Sequence, residues 1–214
     1  MFKPDQTRYL AHFTKDSSGD SGLKDIPGSA RERLLSILQK KCIQAFPTPW
    51  TKAPAVCFTE CPWSSLMAHT SHYSPYGIGF NKAFIFGCGG APVLYVRLDI
   101  LGKRDWKECI PETESNLWSF LTPFWPAYAP KKIQKEYPKP CDFTHEREWR
   151  VAKNLYFKEE HVEFITVNTY DDIADVRELL PNVSLDRILT IQEYRTIETL
   201  WPVHRIDEND KIDS

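Results

Sequence analysis

The stretch Asp142-Phe143-Thr144-His145-Glu146-Arg147-Glu148-Trp149-Arg150-Val151 decides how this chain is read. From Glu146 to Ala152 the residues alternate in character, the period of a β-strand. Successive strand side chains point to opposite faces. Glu146, Glu148 and Arg150 are therefore expected on one face, and Arg147, Trp149 and Val151 on the other. Two carboxylates about 7 Å apart along a strand repel when desolvated unless a cation intervenes, and Arg150 is the cation in reach. Such a pair suits gripping hydroxyls or stabilising a cationic transition state. A solvated sheet face with an ion pair two residues apart accounts for the same pattern, so both readings stand.

Working outward, strands are expected at Thr7–Thr14, Ala55–Thr59, Pro92–Asp99, Val162–Val167 and Arg187–Thr190. Leu34, Leu35, Leu38, Cys42 and Ile43 recur at helical spacing, which predicts an amphipathic helix over Ala30–Ala45. Further helices are expected from Pro62 to His69, Glu112 to Leu121, Asp171 to Leu180 and Gln192 to Leu200, with one helical turn within Lys82–Gly90. Pro47, Pro49 and Pro54 break regular structure between the first helix and the second strand. Gly77 and Gly79 flank Ile78 at the entry to a strand, where close backbone approach or an unusual turn is expected. No repeat or linker interrupts the series. The economical reading is one α+β domain over residues 1–205, followed by a polar C-terminal tail at 206–214.

Composition narrows the function classes. The 214 residues are 42% hydrophobic and 26% charged, the profile of a globular chain. Twenty-seven basic against twenty-nine acidic residues give a net charge of −2, which removes the overall positive field of a simple nucleic-acid binder. Lys131, Lys132, Lys135 and Lys139 form a local basic stretch, read first as a solvated loop and second as a phosphate-backbone contact. There is no run of eighteen apolar residues and no signal-peptide core, so a cytoplasmic protein without a membrane partner is expected. The six cysteines are read as reduced thiols; Cys57 and Cys61 lie four apart, with no second pair at zinc spacing, and no metal is expected. Aromatics reach 13% and prolines number sixteen, which argues for short elements joined by ordered, aromatic-bearing loops.

Candidate ligand-binding residues come from three segments. His12 and Thr14 share a face of the first strand, flanking Phe13, and together could hydrogen-bond a polar ligand. Tyr73 and Tyr76 beside Gly77 could form a platform for a flat heterocycle, or an aromatic core corner. Glu146 and Glu148 complete the set. Dinucleotide, Walker, nucleophile-elbow and zinc-protease signatures do not occur.

The order of His12-Phe13-Thr14, Cys57-Phe58-Thr59-Glu60, Tyr76-Gly77-Ile78-Gly79-Phe80-Asn81-Lys82, the Pro92–Val96 strand and Glu146-Arg147-Glu148-Trp149-Arg150 resembles the AbiGi-type abortive phage resistance family over roughly residues 7 to 200. That family is in turn similar to ADP-ribosyltransferases, in particular DarT-like toxins that modify nucleic acid. The resemblance implies an α+β fold with a split mixed or antiparallel β-sheet core flanked by helices. It implies NAD as substrate. His12, Phe13 and Thr14 would hold a ribose of NAD, Tyr73 and Tyr76 would surround the nicotinamide, and Glu148 would be catalytic, with Glu146 orienting or deprotonating the acceptor. The phosphate-holding arginine would come from Arg8, Arg31 or Arg33, with Arg8 and Arg33 better placed. The family's Ser-Thr-Ser strand has no counterpart here. The implied partner is a macromolecular acceptor, nucleic acid ahead of protein, with RNA binding included. AbiGi-type proteins have also been named antitoxins, which implies the alternative of a non-catalytic regulatory module with a cognate toxin partner. An NAD glycohydrolase using the same glutamate is a further alternative.

Overall fold

The computed structural model describes residues 7–16, 28–60, 74–101, 116–136 and 139–192. Two four-stranded sheets form its frame. The first has the order β1 (Tyr9–Phe13), β5 (Gly77–Asn81), β11 (Val162–Val167), β12 (Ile188–Thr190); β1 and β11 run antiparallel to β5, and β12 parallel to β11. The second is antiparallel in the order β3 (Phe46–Pro47), β4 (Pro54–Phe58), β9 (Trp149–Val151), β6 (Ala91–Pro92). Two small pairs accompany them: β2 (Cys42–Ile43) with β10 (Leu155–Tyr156), and β7 (Leu94–Arg97) with β8 (Leu121–Phe124). With helices on their flanks, the split mixed and antiparallel sheets make an α+β fold, as the sequence leads one to expect.

Among the described residues, an isolated bridge joins the frames. Ala11 and Thr59 exchange backbone hydrogen bonds of 3.0 and 2.8 Å where β1 crosses the end of β4. The main core lies around this junction: Leu10 from β1, Val56 and Phe58 from β4, Ile78 and Phe80 from β5, Val151 from β9 and Ile165 from β11 are all essentially inaccessible. Leu34 and Leu38 close it from helix α1 (Ala30–Lys40). α1 opens on a capping box. Ser29 Oγ accepts from the Glu32 amide, and the Glu32 carboxylate accepts from the Ser29 amide at 2.7 Å, satisfying two otherwise orphaned donors.

Gly77 and Gly79 are required by packing. A Cβ on Gly77 would lie 2.7 Å from the Phe13 ring, and one on Gly79 would enter the ring of Phe164.

Several expected boundaries move. The first helix ends at Lys40 rather than Ala45, because Lys41 turns left-handed (φ 49°) and sends Cys42 and Ile43 into the pair with β10. Pro47 and Pro54 do not exclude strand. Pro47 lies in the outermost strand of its sheet and Pro54 is the first residue of β4, positions where the missing N–H costs little. The expected Pro92–Asp99 strand divides between β6 and β7, which pair with different partners, and a short helix follows at Leu98–Leu101. The expected Glu146–Ala152 strand is only Trp149–Val151, for the reason given below. The helix expected from Pro62 to His69 lies outside the described residues, as do Tyr73, most of the Glu112–Leu121 helix, nearly all of Gln192–Leu200 and the tail.

Candidate functional site

Where β1 and β4 diverge, a cleft of about 510 Å³ opens. His12 and Phe13 line it from β1, and Cys57 and Thr59 from β4 and its end. Glu146, Glu148 and Arg150 reach it from the segment leading into β9. Phe46, Trp50 and Phe143 contribute aromatic wall, so the exposed lining is mainly apolar with charged groups among it.

Arg150 organises the charged part. It sits on β9 directly across from Cys57 on β4, and its side chain is 4% exposed. All five of its N–H donors are used. Nε and Nη2 clasp the two oxygens of Glu148 at 2.8 and 3.0 Å, Nη1 donates to the carbonyls of Ser119 and Leu121 at 2.9 and 3.2 Å, and Nη2 also donates to Thr122 Oγ1 at 2.8 Å. Burial disfavours the cation, but the Glu148 carboxylate outweighs it and the guanidinium is held above its ordinary value. Glu148 is thereby fixed in orientation, and each of its oxygens retains a lone pair beyond the one Arg150 uses.

Glu148 and Arg150 share a face by strand alternation, as expected. Glu146 arrives by another route. Residues Thr144–Glu146 form a 3₁₀ turn, and Arg147 takes a left-handed conformation (φ 46°) before the strand begins. The expected continuous strand fails here because the left-handed residue reverses the pleat. Both glutamates line the cleft nonetheless. Thr59 Oγ1 and the Glu60 amide both donate to the Glu146 carbonyl, at 2.7 and 3.3 Å, and tie the turn to the end of β4. Burial pushes the Tyr95 hydroxyl well above its ordinary value, and the negative charges of Glu148 and Glu146 add to that effect.

His12 stands with its ring edge-on to Phe58, centroids 5.9 Å apart, and Nδ1–H donates to the Cys57 carbonyl at 2.8 Å. Burial lowers its pKa, so the ring is neutral near pH 7 and the Cys57 contact fixes the tautomer with Nε2 as a hydrogen-bond acceptor. The Cys57 thiol is pushed up to about 12, by loss of solvent around it first and by the Glu148 charge second. A thiol held that high is not an activated cysteine nucleophile.

The remaining candidates lie elsewhere. Thr14 falls just beyond β1, is 5% exposed, and its hydroxyl donates to the carbonyls of Ala30 (2.7 Å) and Tyr76 (3.1 Å), tying α1 to the approach of β5. The expected shared face with His12 is lost because the strand stops at Phe13. Tyr76 packs against the core and its hydroxyl donates to Asp172 at 3.2 Å. Arg31 joins the same group, pairing with Asp172 at 2.8 Å and with Asp175. Arg33 donates to the Lys15 carbonyl at 2.7 Å, and Arg8 is an exposed residue whose carbonyl accepts from the Lys82 amide. None of these five lines the cleft. Sequence reasoning passed over Cys57, Thr122 and the wall residues Phe46, Trp50 and Phe143; the proline- and aromatic-rich stretch around Trp50 was the available signal. No group of three or more metal-ligating side chains occurs among the described residues, and no helix there is long and apolar enough to cross a membrane.

Comparison with known proteins adds three findings. Residues 39–182 match the family described as "Putative abortive phage resistance protein AbiGi, antitoxin". The search of curated proteins found no match. Among solved structures, the chain is similar to Thermus sp. 2.9 DarT in complex with carba-NAD+, at 14% identity over 90% of this chain and 99% of that one, with a TM-score of 0.39. An overlay that loose transfers no residue role.

Proposed function

The chain belongs to the AbiGi family, and on that premise we propose that its cleft binds NAD and transfers ADP-ribose to a macromolecular acceptor in phage defence, nucleic acid ahead of protein. The observation that carries the reading is Glu148: a carboxylate locked in place by a fully committed arginine, in an apolar-walled cleft that also holds Glu146 and a neutral His12. A rigid anion in such a recess stabilises developing positive charge without reorganising.

In the proposed reaction Glu148 accepts a hydrogen bond from a ribose hydroxyl next to the reacting carbon. The bond from C1′ to nicotinamide breaks, its electron pair leaves with nicotinamide, and the sugar passes through an oxocarbenium-like state. The acceptor's nucleophilic atom bonds to C1′ and its proton passes to Glu146. His12 Nε2 accepts from a second sugar hydroxyl, and Phe46, Trp50 and Phe143 shelter the flat rings. The chemistry is dissociative, so positioning and charge stabilisation do most of the work. Thr14, Tyr76, Arg8 and Arg33 serve in this reading as supports around the cleft. Water as acceptor would make the same site an NAD glycohydrolase.

A second reading follows from the antitoxin in the family's description and from Glu148 itself, whose bond to Arg150 also serves as a structural ion pair. In it the protein neutralises a toxin partner through protein contacts and turns nothing over. Adenylate-labelled NAD, incubated with the protein and with RNA, DNA or cell lysate beside Glu148→Gln, separates the readings. Label on a nuclease- or protease-sensitive product, lost in a folded variant, is expected and names the acceptor class. Free ADP-ribose alone points to the glycohydrolase. No turnover, together with no rise in melting temperature on adding NAD, refutes the enzyme, because a ligand that binds only the native state must stabilise it.

A further inference from the structure

Two sequence motifs remain outside the proposed chemistry, Cys57-Phe58-Thr59-Glu60 and the Tyr76–Lys82 segment, and their last residues meet behind the site. Glu60 is 6% exposed. Its Oε1 lies 2.5 Å from Lys82 Nζ, and its Oε2 accepts from the Trp149 indole N–H at 3.0 Å. Lys82 Nζ also sits 5.5 Å from the centroid of the Trp149 ring. Trp149 follows Glu148 directly and points to the opposite face of β9 from the Glu148–Arg150 pair. Glu60 also reaches the near side of the turn, where its amide and Thr59 Oγ1 donate to the Glu146 carbonyl.

We infer that Glu60 is a positioning residue: from the back of β9 it clamps both flanks of the Glu146–Glu148 turn and so sets where the two carboxylates stand in the cleft. The inference rests on the reading of that cleft as the functional site. Two features call for such a clamp. Arg147, between the glutamates, is held left-handed, a conformation that a non-glycine residue keeps only when its surroundings impose it. The node is also ionic in a place where an apolar pair of similar volume would be at least as stable, so its value lies in directionality. One carboxylate oxygen accepts from the indole and so fixes Trp149 in rotation, while the other lies against the Lys82 ammonium as an ion pair. Lys82 is itself anchored, its amide donating to the Arg8 carbonyl at 2.9 Å as β5 passes into the Lys82–Gly87 helix.

Cys57 reports on the clamp without any need for NAD. It faces Arg150 across the strand pair, and Glu148 suppresses its thiolate. A released turn takes Glu148 away and speeds alkylation of Cys57. Iodoacetamide labelling of the full chain near pH 8, followed residue by residue by mass spectrometry, measures this, and buried Cys141 reports general loosening. Glu60→Ala is expected to accelerate Cys57 by about fivefold or more with Cys141 unchanged, because the rate follows the thiolate fraction. Trp149→Phe, which deletes the indole donor together with part of the ring, is expected to do the same with Cys141 unchanged and stands in if Glu60→Ala does not fold. Glu60→Gln keeps an acceptor for the indole and is expected to stay within about twofold of wild type. An unchanged Cys57 in Glu60→Ala, parallel acceleration of Cys141, or Glu60→Gln as fast as Glu60→Ala overturns the clamp. In the NAD assay, Glu60→Ala is expected to lower kcat about tenfold with KM within about twofold, the signature of lost transition-state positioning. A wild-type protein that ignores NAD refutes the reading of the cleft, while the labelling pattern still decides the clamp.

Discussion

Replacing Arg150 by Met tests the geometry on which the site depends. The substitution keeps most of the side-chain volume and removes all five donors. Glu148, whose side chain is 12% exposed, loses its bidentate partner, and the Ser119 and Leu121 carbonyls and Thr122 Oγ1 each lose a donor. Breaking one side of a buried pair costs about 3–5 kcal/mol, most of it the penalty of leaving the other charge buried. For a chain of this length that corresponds to a fall in melting temperature of roughly 6–20 °C. Glu148→Gln keeps one acceptor for Arg150 but turns the other oxygen into an NH2 that faces an Arg150 N–H, so a loss of about 1–3 kcal/mol is expected. The double variant, Glu148→Gln with Arg150→Met, carries no stranded charge. It is expected to recover about 1–3 kcal/mol relative to the sum of the single losses. Urea unfolding of the four proteins, with equal m-values as the check on a common unfolded state, gives the cycle. A loss below about 1 kcal/mol for Arg150→Met, or strict additivity in the double variant, would refute the claim that Arg150 holds Glu148 in place.

Two further outcomes follow from the packing and the charges. Burial pushes the Asp172 carboxyl up, but the Arg31 guanidinium, the Thr169 amide and the Tyr76 hydroxyl together outweigh it and hold the group below the usual carboxylate range. Its stabilisation is therefore complete above the unfolded-state carboxylate pKa and is lost as pH falls through the depressed native value; melting temperatures from pH 7 to pH 2 should converge for wild type and Asp172→Asn at the acid end, and a constant gap would refute the assignment. Gly79→Ala drives a methyl into the Phe164 ring and should cost about 2 kcal/mol or more, whereas Gly87→Ala meets nothing and should change denaturant stability by under about 0.5 kcal/mol; equal effects would contradict the register of β5 against β11.

The legible parts of the fold were those governed by local pattern. α1 announced itself through the helical spacing of its leucines, and Val162–Val167 was legible as a strand. Glycines at 77 and 79 marked a crowded entry to a strand, but what crowds it is the side chains of Phe13 and Phe164 rather than another backbone. The failures share a cause, because each was a chain direction set by a distant partner. Lys41 ends α1 because Cys42 and Ile43 are claimed by Leu155 and Tyr156, more than a hundred residues later. The expected Pro92–Asp99 strand divides because its start follows β9, with the Val93 amide donating to the Glu148 carbonyl at 2.9 Å, while Leu94–Arg97 pairs with β8.

The site divides along the same line. Its pairing of Glu148 with Arg150 was determined by sequence alone, since two residues apart on a strand means one face. The place of Glu146 was not, because a left-handed Arg147 erases the alternation, and that conformation is held by Thr59 and Glu60 from another strand. Whether His12, Thr14, Tyr76 and the arginines could act together was likewise a tertiary question. The structure brings His12 and Phe13 to the glutamates and assigns Thr14 and Tyr76 to ties between elements, since a hydroxyl buried at a junction is claimed by the nearest carbonyl or carboxylate. Residue types and short spacings thus specified which groups the chain carries. Only the crossing of β1 over the end of β4 decided which of them share a cleft, because that crossing joins segments nearly fifty residues apart, a separation over which no local periodicity carries information.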